Sequence, residues 1–308
     1  ESSVTIEGVG VVVDGGFARV PRFEPSMGMS RLVTARVSRA SADQRAGRAG
    51  RLGPGHVYRM WSAHDEEGMA RTLEPEIVQA DLAGLVLDLA VWGSSVESLR
   101  WMDEPPSASV SQARDLLAEL GAVDARGQPT ALGRRMAELP VHPRLGRMLA
   151  LATPDAAGQV SDLAAVIDVP RVTRGQSGID LRERMAALEA YRHRRHDSSI
   201  EPAGCRAADL VARQLRERLR SSAPPRPDRE ACAPVSVGGW LSLAFPDRIG
   251  RRRPGRDGAY LLSGGRGAYL PADEPLGRSE WLAAAEVDAG GREGRIRVAA
   301  DVDGSEIE

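Results

Sequence analysis

The 308-residue sequence is 42% apolar, which is enough for two or more hydrophobic cores and excludes a disordered chain. Its net charge of −2 excludes a uniformly basic body, so a nucleic-acid site must be a local groove. The two cysteines exclude a disulfide framework, and no apolar run approaches the ~20 residues that span a bilayer. We therefore expect a cytoplasmic protein without membrane contact.

The first 70 residues predict alternating strands and helices. A valine-rich run from Gly8 to Gly16 predicts a buried strand of an α/β sheet. Two runs, Phe17–Glu24 and Met29–Val37, flank a glycine-containing turn and predict a β-hairpin. Ser41 predicts a helix start, with a glutamine three residues later as its capping-box partner, and residues 56–61 predict another strand.

Residues 71–141 predict a winged helix. An apolar stripe from Val78 to Leu89 predicts one helix whose first turn contains Pro75. A second helix is predicted from Ser109 to Leu120, and Thr130 predicts the cap of a third. The polar segment before this threonine has the composition of a small β-wing.

The remaining chain predicts three segments of different composition. Residues 142–222 predict a helical bundle, and the polar, proline-rich residues 223–234 predict a linker. Short apolar runs separated by glycines in residues 235–308 predict a small β-barrel.

Local positive charge marks two possible nucleic-acid surfaces. From Arg171 to Glu230 there are 14 Arg against 9 Asp and Glu, and Arg192 and Arg195 lie in the densest run. Arg19 and Arg22 lie on the predicted hairpin. Contact with a nucleic-acid backbone and a solvated basic face are both open for these side chains.

The segment QRAGRAGR, from Gln44 to Arg51, repeats arginine every third residue with glycines between. Guanidinium forks fit phosphate oxygens, and glycine lets a phosphate approach the backbone closely. Residues three apart lie on neighbouring faces of a helix, so Arg48 and Arg51 can approach one phosphate. From spacing alone, a solvated Arg/Gly loop or an RNA-binding tract is an equal alternative.

This segment resembles motif VI of the DEAH/RHA branch of superfamily 2 helicases, and ESSVTIEGVGVVVDGG resembles the second half of their motif V. LGAVDARGQPTALGRRMAELPVHPRLGRML resembles their winged-helix end and its entry into the ratchet domain. LSLAFPDRIGRRR together with YLLSGGRGAYLP resembles the bacterial HrpB subfamily. The resemblance implies a multidomain α/β, α and β architecture. Residues 1–70 would end the second RecA-like lobe, 71–141 form the winged helix, 142–222 the ratchet bundle and 235–308 an OB-like barrel.

The resemblance also implies an ATP-dependent RNA helicase that uses ATP with Mg²⁺. It makes Arg48 and Arg51 the arginine fingers on the γ-phosphate, and Gln44 a residue that orients the attacking water. Thr5 and Glu7 match the motif V positions that contact the ATP ribose.

The partner that the resemblance implies is single-stranded RNA or another nucleic acid. Motif V and the hairpin of this family, together with the local charge of the helical region, indicate which residues would contact the strand. They are Ser2, Arg19, Arg22, Arg192 and Arg195.

One departure from the family is decisive for activity. The sequence has no GxxxxGK[ST] loop and no Asp-Glu-Ala-His box, and all 41 of its basic Lys or Arg residues are arginine. We therefore expect a piece of a longer protein that is inactive alone and that binds no metal itself. The alternative is a non-enzymatic nucleic-acid-binding protein with a winged helix and an OB-like domain, in which QRAGRAGR is an incidental loop.

Overall fold

The structure is a computed structural model that describes residues 8–24, 29–51, 53–169, 171–174, 178–195, 197–221, 235–288 and 293–307. The chain forms two compact units. The first holds the chain up to Asp81 together with Trp101–Pro106, and the second holds Leu82–Arg100 and Ser107–Glu308. The domain boundaries at residues 70, 141 and 222 remain predictions, and the linker 223–234 lies outside the described residues.

The first unit combines two small sheets with short helices. Its elements are β1 Val11–Asp14, β2 Phe17–Glu24, β3 Met29–Arg36, α1 Arg39–Ala46, β4 His56–Arg59, α2 Ala63–Glu67 and α3 Glu76–Gln79. Strands β1 and β4 pair in parallel, and α1 packs against β1. Strands β2 and β3 form the predicted antiparallel hairpin.

Strand β1 is confirmed, but the prediction that it is buried is wrong for the described chain. Val11 is 55% exposed and Val13 is 66% exposed, whereas Asp14 at the end of the strand is buried. Alternate side chains point to opposite faces of a strand. Helix α1 therefore covers the face that carries Asp14, and Val11 and Val13 lie on the other face.

The single helix predicted from Val78 to Leu89 is two helices. Helix α3 ends at Ala80, whose backbone is extended, and α4 begins at Ala83. Pro75 is the residue before α3 rather than part of its first turn. The apolar periodicity continues across the break, which is why the sequence pattern did not show it.

The second unit begins with a series of helices. They are α4 Ala83–Trp92, α5 Ser107–Glu119, α6 Ala131–Ala137, α7 Pro143–Ala150, α8 Ala157–Asp168, α9 Leu181–Arg192, α10 Pro202–Ser221 and α11 Val237–Ala244. The Thr130 hydroxyl accepts a hydrogen bond from Gly133 N at 3.0 Å, which confirms the predicted cap of α6. Between α5 and α6, an isolated antiparallel bridge joins Val123 to Pro129, at the position predicted for the wing.

The predicted barrel is present and closed. Its strands are β5 Ile249–Arg252, β6 Ala259–Leu262, β7 Gly267–Tyr269, β8 Trp281–Val287 and β9 Glu293–Asp301, in the order β5-β6-β7-β9-β8. Tyr260, Leu282 and Ile296 are fully buried. Helix α11 was not predicted, because two glycines weaken its helical pattern. A Cβ on Gly238 would lie 1.9 Å from the Asp301 carbonyl oxygen, so glycine lets α11 approach β9 closely.

The end of the chain caps α11. The Glu306 carboxylate accepts hydrogen bonds from Val235 N at 2.8 Å, from Ser236 N at 2.9 Å and from the Ser236 hydroxyl. Burial alone would raise the pKa of Glu306, but the hydrogen bonds from Ser236 and Val235 together lower it below its usual value of 4.5. The carboxylate therefore stabilises the start of the helix at neutral pH.

A buried ion pair joins the helices to the barrel within the second unit. Arg144 on α7 is 4% exposed and donates to Asp247 at 2.9 Å, just before β5. Its guanidinium lies 5.3 Å from the ring centroid of Phe245. Removal of Asp247 would leave the buried Arg144 guanidinium without its carboxylate, which is strongly destabilising.

Candidate arginine-finger site

Helix α1 begins three residues earlier than the sequence predicts. Its N-cap is Ser38, whose hydroxyl accepts from Ser41 N at 3.1 Å. Ser41 is only 3% exposed and lies inside the helix, so the predicted capping box between Ser41 and Gln44 is wrong. Two serines three residues apart can each begin a helix, and the exit of the hairpin selects the first.

The arginine-rich segment lies at the end of α1. The helix ends at Ala46, and residues 47–50 continue in turns in which Arg48 N donates to Arg45 O and Ala49 N to Ala46 O, each at 3.1 Å. Arg48 is half-buried and Arg51 is exposed, while Ala49 between them is 3% exposed. Gln44 is exposed on the last turn of α1. A buried backbone thus carries polar side chains that reach the surface.

Two glycines of this segment are not required by the fold. Gly47 has φ −60° and ψ −12°, which any residue adopts, and a Cβ there would make only ordinary contacts of 3.5 Å or more. A Cβ on Gly50 would meet no atom within 4 Å in the described chain. Glycine costs roughly 1 kcal/mol relative to alanine in helical structure. Both glycines leave open backbone beside the two arginines.

Gly55 behaves differently, because it fixes the position of the segment. A Cβ on Gly55 would lie 2.3 Å from the Ala49 carbonyl oxygen and 2.5 Å from its carbonyl carbon. Only glycine therefore lets the chain before β4 lie directly against Ala49. This contact holds the backbone between Arg48 and Arg51.

An ion pair at the edge of the first sheet attaches α1 to β1. Arg45 donates to Asp14 Oδ1 at 3.1 Å, and Asp14 is 4% exposed. A second pair attaches α1 to β4, where Arg59 donates to Asp43 on α1 and to Glu66 on α2, each at 2.6 Å. Arg45 thus forms a structural ion pair with Asp14.

The hairpin carries two predicted arginines, Arg19 and Arg22. Both are exposed, and Arg22, whose side chain is 53% exposed, also donates to Glu74 at 3.0 Å. The predicted contacts at Ser2, Thr5 and Glu7 lie outside the described residues.

Arg192, which is predicted to contact nucleic acid, is bound to two carboxylates of neighbouring helices. Its guanidinium donates twice to Asp162 and once to Asp209, each at 2.7 Å. The hydrogen bonds that Arg192 donates to Asp162 and Asp209 raise its pKa above its already high usual value. Arg192 therefore ties α9 to α8 and α10, and it shares these two carboxylates with Arg216, which pairs with Asp162, and Arg213, which pairs with Asp209. Arg195 is exposed after the end of α9, where Arg194 adopts φ 53°.

The aromatic side chains of the barrel region are mostly buried. Trp240, Phe245 and Tyr260 lie in the core, whereas Tyr269 on β7 is 41% exposed. Strand register aligns Trp281, Arg251 and Leu261 across β8, β5 and β6.

The Arg251 guanidinium lies 5.2 Å from the ring centroid of Trp281, and Leu261 is 48% exposed. Arg251, Arg252 and Leu261 line a groove at this surface. We call Trp281, Arg251 and Leu261 the barrel strip. No sequence signal identifies it, because its members lie far apart in the chain.

The described residues hold neither a metal-binding cluster nor a membrane-spanning helix. No three His, Cys, Asp or Glu side chains of the described chain gather closely enough to hold a metal ion. Across the same residues, every helix is too short or too polar to span a bilayer.

Comparisons with known proteins point to one family. Residues 113–141 match the winged-helix helicase-associated domain HA2. The chain is 38% identical over 287 residues to the ATP-dependent RNA helicase HrpB of Escherichia coli, a match that covers 92% of this chain. It also superposes on the crystal structure of the E. coli DExH-box NTPase HrpB with a TM-score of 0.76 at 37% identity, over 99% of this chain.

The chain matches the C-terminal region of HrpB-like DEAH/RHA helicases.

A second solved structure, of the E. coli DEAH/RHA helicase HrpB, gives a TM-score of 0.77 over 98% of this chain. The pre-mRNA-splicing factor and ATP-dependent RNA helicase prp22 of Schizosaccharomyces pombe is 36% identical over 176 residues. The chain spans about a third of the length of the HrpB relative and 15% of prp22. This HrpB-like region is thus similar in sequence and fold to one part of larger proteins.

Proposed function

We propose that this HrpB-like region belongs to a cytoplasmic, ATP-dependent RNA helicase and supplies the arginine fingers of its ATPase site. One observation carries the proposal. The segment from Gly47 to Arg51 has a buried residue at Ala49, carries two arginines, and contains two glycines that the fold does not require. A ligand that approaches the open backbone explains glycine at these positions. The 38% identity to HrpB indicates that the ligand is ATP.

The chemistry required of the fingers is electrostatic. Negative charge spreads over the transferred phosphoryl group in the transition state, and a guanidinium fork stabilises that charge. We assign this role to Arg48 and Arg51, and the orientation of the attacking water to Gln44. Thr5 and Glu7 are proposed to contact the ATP ribose.

The donor set of the described segment fits a phosphate but does not fit a metal ion. Its arginine and glutamine side chains donate hydrogen bonds to anions, whereas Mg²⁺ needs oxygen ligands. Mg²⁺ that accompanies ATP would therefore be bound outside the described part of this chain.

The remaining domains are proposed to bind single-stranded RNA. The first unit would end the second RecA-like lobe, helices α7–α10 would form the ratchet, and the closed barrel would be OB-like. A groove that combines arginine with an aromatic surface suits a single strand, because every base can stack. The barrel strip and the exposed Arg19 and Arg195 are the side chains we assign to this contact.

The test uses an enzyme that carries this chain and extends over the full length of the HrpB relatives, here called the full-length enzyme. Arg48→Ala and Arg51→Ala should each reduce kcat by at least ~10²-fold, because such fingers contribute ~10³–10⁵ in rate. The ATP Kd should change little, since the fingers act mainly on charge that develops during transfer. Near-normal kcat in both variants would refute the proposal and favour the non-enzymatic alternative.

Two lysine variants sharpen this test. Arg48→Lys should fail as alanine does, because one ammonium cannot reproduce the planar fork. Arg45→Lys should retain more activity, since Arg45 contacts Asp14 rather than the open segment.

A further inference from the structure

The turn from Asp14 to Phe17 joins three parts of the first unit. Asp14 Oδ1 accepts from Gly16 N at 2.9 Å and from Arg45 Nη1 at 3.1 Å. The same Nη1 of Arg45 lies 3.3 Å from the Phe17 carbonyl oxygen, to which it also donates. Phe17 is the first residue of the hairpin, and Arg45 lies three residues before Arg48. One guanidinium thus touches both the end of β1 and the start of β2.

The other end of the hairpin returns to the same turn. Val37 N, directly after β3, donates to Gly16 O at 3.0 Å, and the next residue, Ser38, caps α1. Gly16 has φ +77°, and a Cβ there would lie 2.9 Å from the Trp61 ring, so no other residue fits. The turn therefore holds both ends of the hairpin, at Phe17 and at Val37, and it holds α1 through Arg45.

Breaking the Asp14–Arg45 ion pair costs free energy, because the carboxylate is buried. Asp14 is 4% exposed, and its Oδ2 is buried without a hydrogen bond to any described residue. The carboxylate consequently depends on the bonds to its other oxygen, and loss of Arg45 would leave a buried charge without that compensation. A movement at the base of the hairpin is for this reason transmitted to α1 rather than absorbed by the turn.

We propose that Asp14 is a positioning residue for the arginine fingers, which acts through Arg45 and couples the hairpin to α1. This inference rests on the proposed function, because it assumes that Arg48 and Arg51 act on ATP and that the hairpin contacts RNA. A strand that displaces the hairpin then changes the position of the fingers, so that RNA binding and ATP hydrolysis are linked by this pair.

The experiment compares Asp14→Asn with a matched control, Asp43→Asn, in the full-length enzyme. Asp43 also forms an ion pair from α1, but it is 69% exposed and bonds Arg59 rather than the turn. The measurements are kcat with and without single-stranded RNA, and the Kd values of ATP and RNA. Asp14→Asn should lower the RNA-stimulated kcat by roughly 10- to 100-fold, the range of a ~1 Å displacement of a catalytic group, with little change in either Kd. Asp43→Asn should stay close to wild type.

A second variant protects against a folding defect. Arg45→Lys keeps the charge, but a single ammonium on a flexible stem is a poor substitute for the fork that holds Asp14 and Phe17 together. It should lower the ratio of RNA-stimulated to basal kcat while thermal unfolding stays close to wild type. If Asp14→Asn does not fold, the ratio of RNA-stimulated to basal kcat in Arg45→Lys tests the proposal instead.

Parallel assays of Arg48→Ala and Arg51→Ala separate the two proposals. If these variants keep normal kcat, the proposed function is wrong. If they lose kcat while folded Asp14→Asn and Arg45→Lys keep full RNA stimulation, the finger assignment stands and the coupling role of Asp14 is refuted.

Discussion

Gly55→Ala is a single-methyl change that should displace the finger segment without touching either arginine. The new Cβ would begin 2.3 Å from the Ala49 carbonyl oxygen. An ordinary contact needs about 3.4 Å, so the two backbones must separate by roughly 1 Å. Ala49 is buried and lies directly after Arg48, so this displacement reaches the fingers.

The expected magnitude follows from this distance. Misplacement of a catalytic group by ~1 Å can cost ~10²-fold in rate, and overpacking typically costs about 1–3 kcal/mol of stability. The full-length Gly55→Ala enzyme should therefore lose roughly 10- to 100-fold in kcat while its ATP Kd changes little. Steady-state hydrolysis, nucleotide titration and thermal unfolding measure the three quantities.

Gly53→Ala is the matched control. A Cβ on Gly53 would meet no atom within 4 Å in the described chain, so the variant removes a glycine from the same loop without a clash. It should keep kcat close to wild type. Equal kcat for Gly55→Ala and Gly53→Ala would show that the contact with Ala49 does not position the fingers.

Three further predictions concern the second unit. Glu306→Gln should lower stability at pH 7 by about 1–2 kcal/mol, because a charged acceptor at the start of α11 is lost. The pKa of Glu306 is lowered in the folded state, so its contribution is present at neutral pH and disappears as the pH falls through that folded pKa. Thermal unfolding of the two proteins should therefore converge once the pH lies below the folded pKa of Glu306, and equal stability at pH 7 would contradict the capping role. Arg192→Ala should reduce stability by about 1–2 kcal/mol, since two largely buried carboxylates lose a partner, whereas Arg195→Ala should be nearly neutral in thermal unfolding. Arg251→Ala should reduce RNA affinity and flatten the slope of log K against log salt by about 0.7, and an unchanged slope would remove the barrel strip from the RNA contact.

Features encoded by local sequence were predictable in the first unit and the winged helix. The hairpin follows from two runs of strand-forming residues around a short turn. Thr130 caps α6 because its hydroxyl accepts a hydrogen bond from the backbone N–H three residues later. The start of α1 was misplaced because Ser38 and Ser41 have the same local signal. The hydrogen bond from Val37 N to Gly16 O fixes the chain just before Ser38, so the helix begins after Ser38 rather than after Ser41.

Features that depend on distant residues were not predictable from the pattern. Arg192 lies in a basic run, but Asp162 and Asp209, which form ion pairs with it, are 30 and 17 residues away. The barrel strip likewise depends on strand register, which places Trp281 beside Arg251. A high density of arginine in a sequence is therefore a poor guide to basic surface where carboxylates from other helices form ion pairs with those arginines.

The central claim is that Arg48 and Arg51 stabilise the transition state of ATP hydrolysis rather than ATP itself. The most direct measurement compares the affinity of the full-length enzyme for ADP with aluminium fluoride, which mimics the transferred phosphoryl group, with its affinity for a non-hydrolysable ATP analogue. The account predicts that Arg48→Ala and Arg51→Ala each weaken binding of the mimic by at least ~10²-fold, while binding of the ATP analogue changes little. Equal weakening of both ligands, or unchanged binding of the mimic, would contradict it.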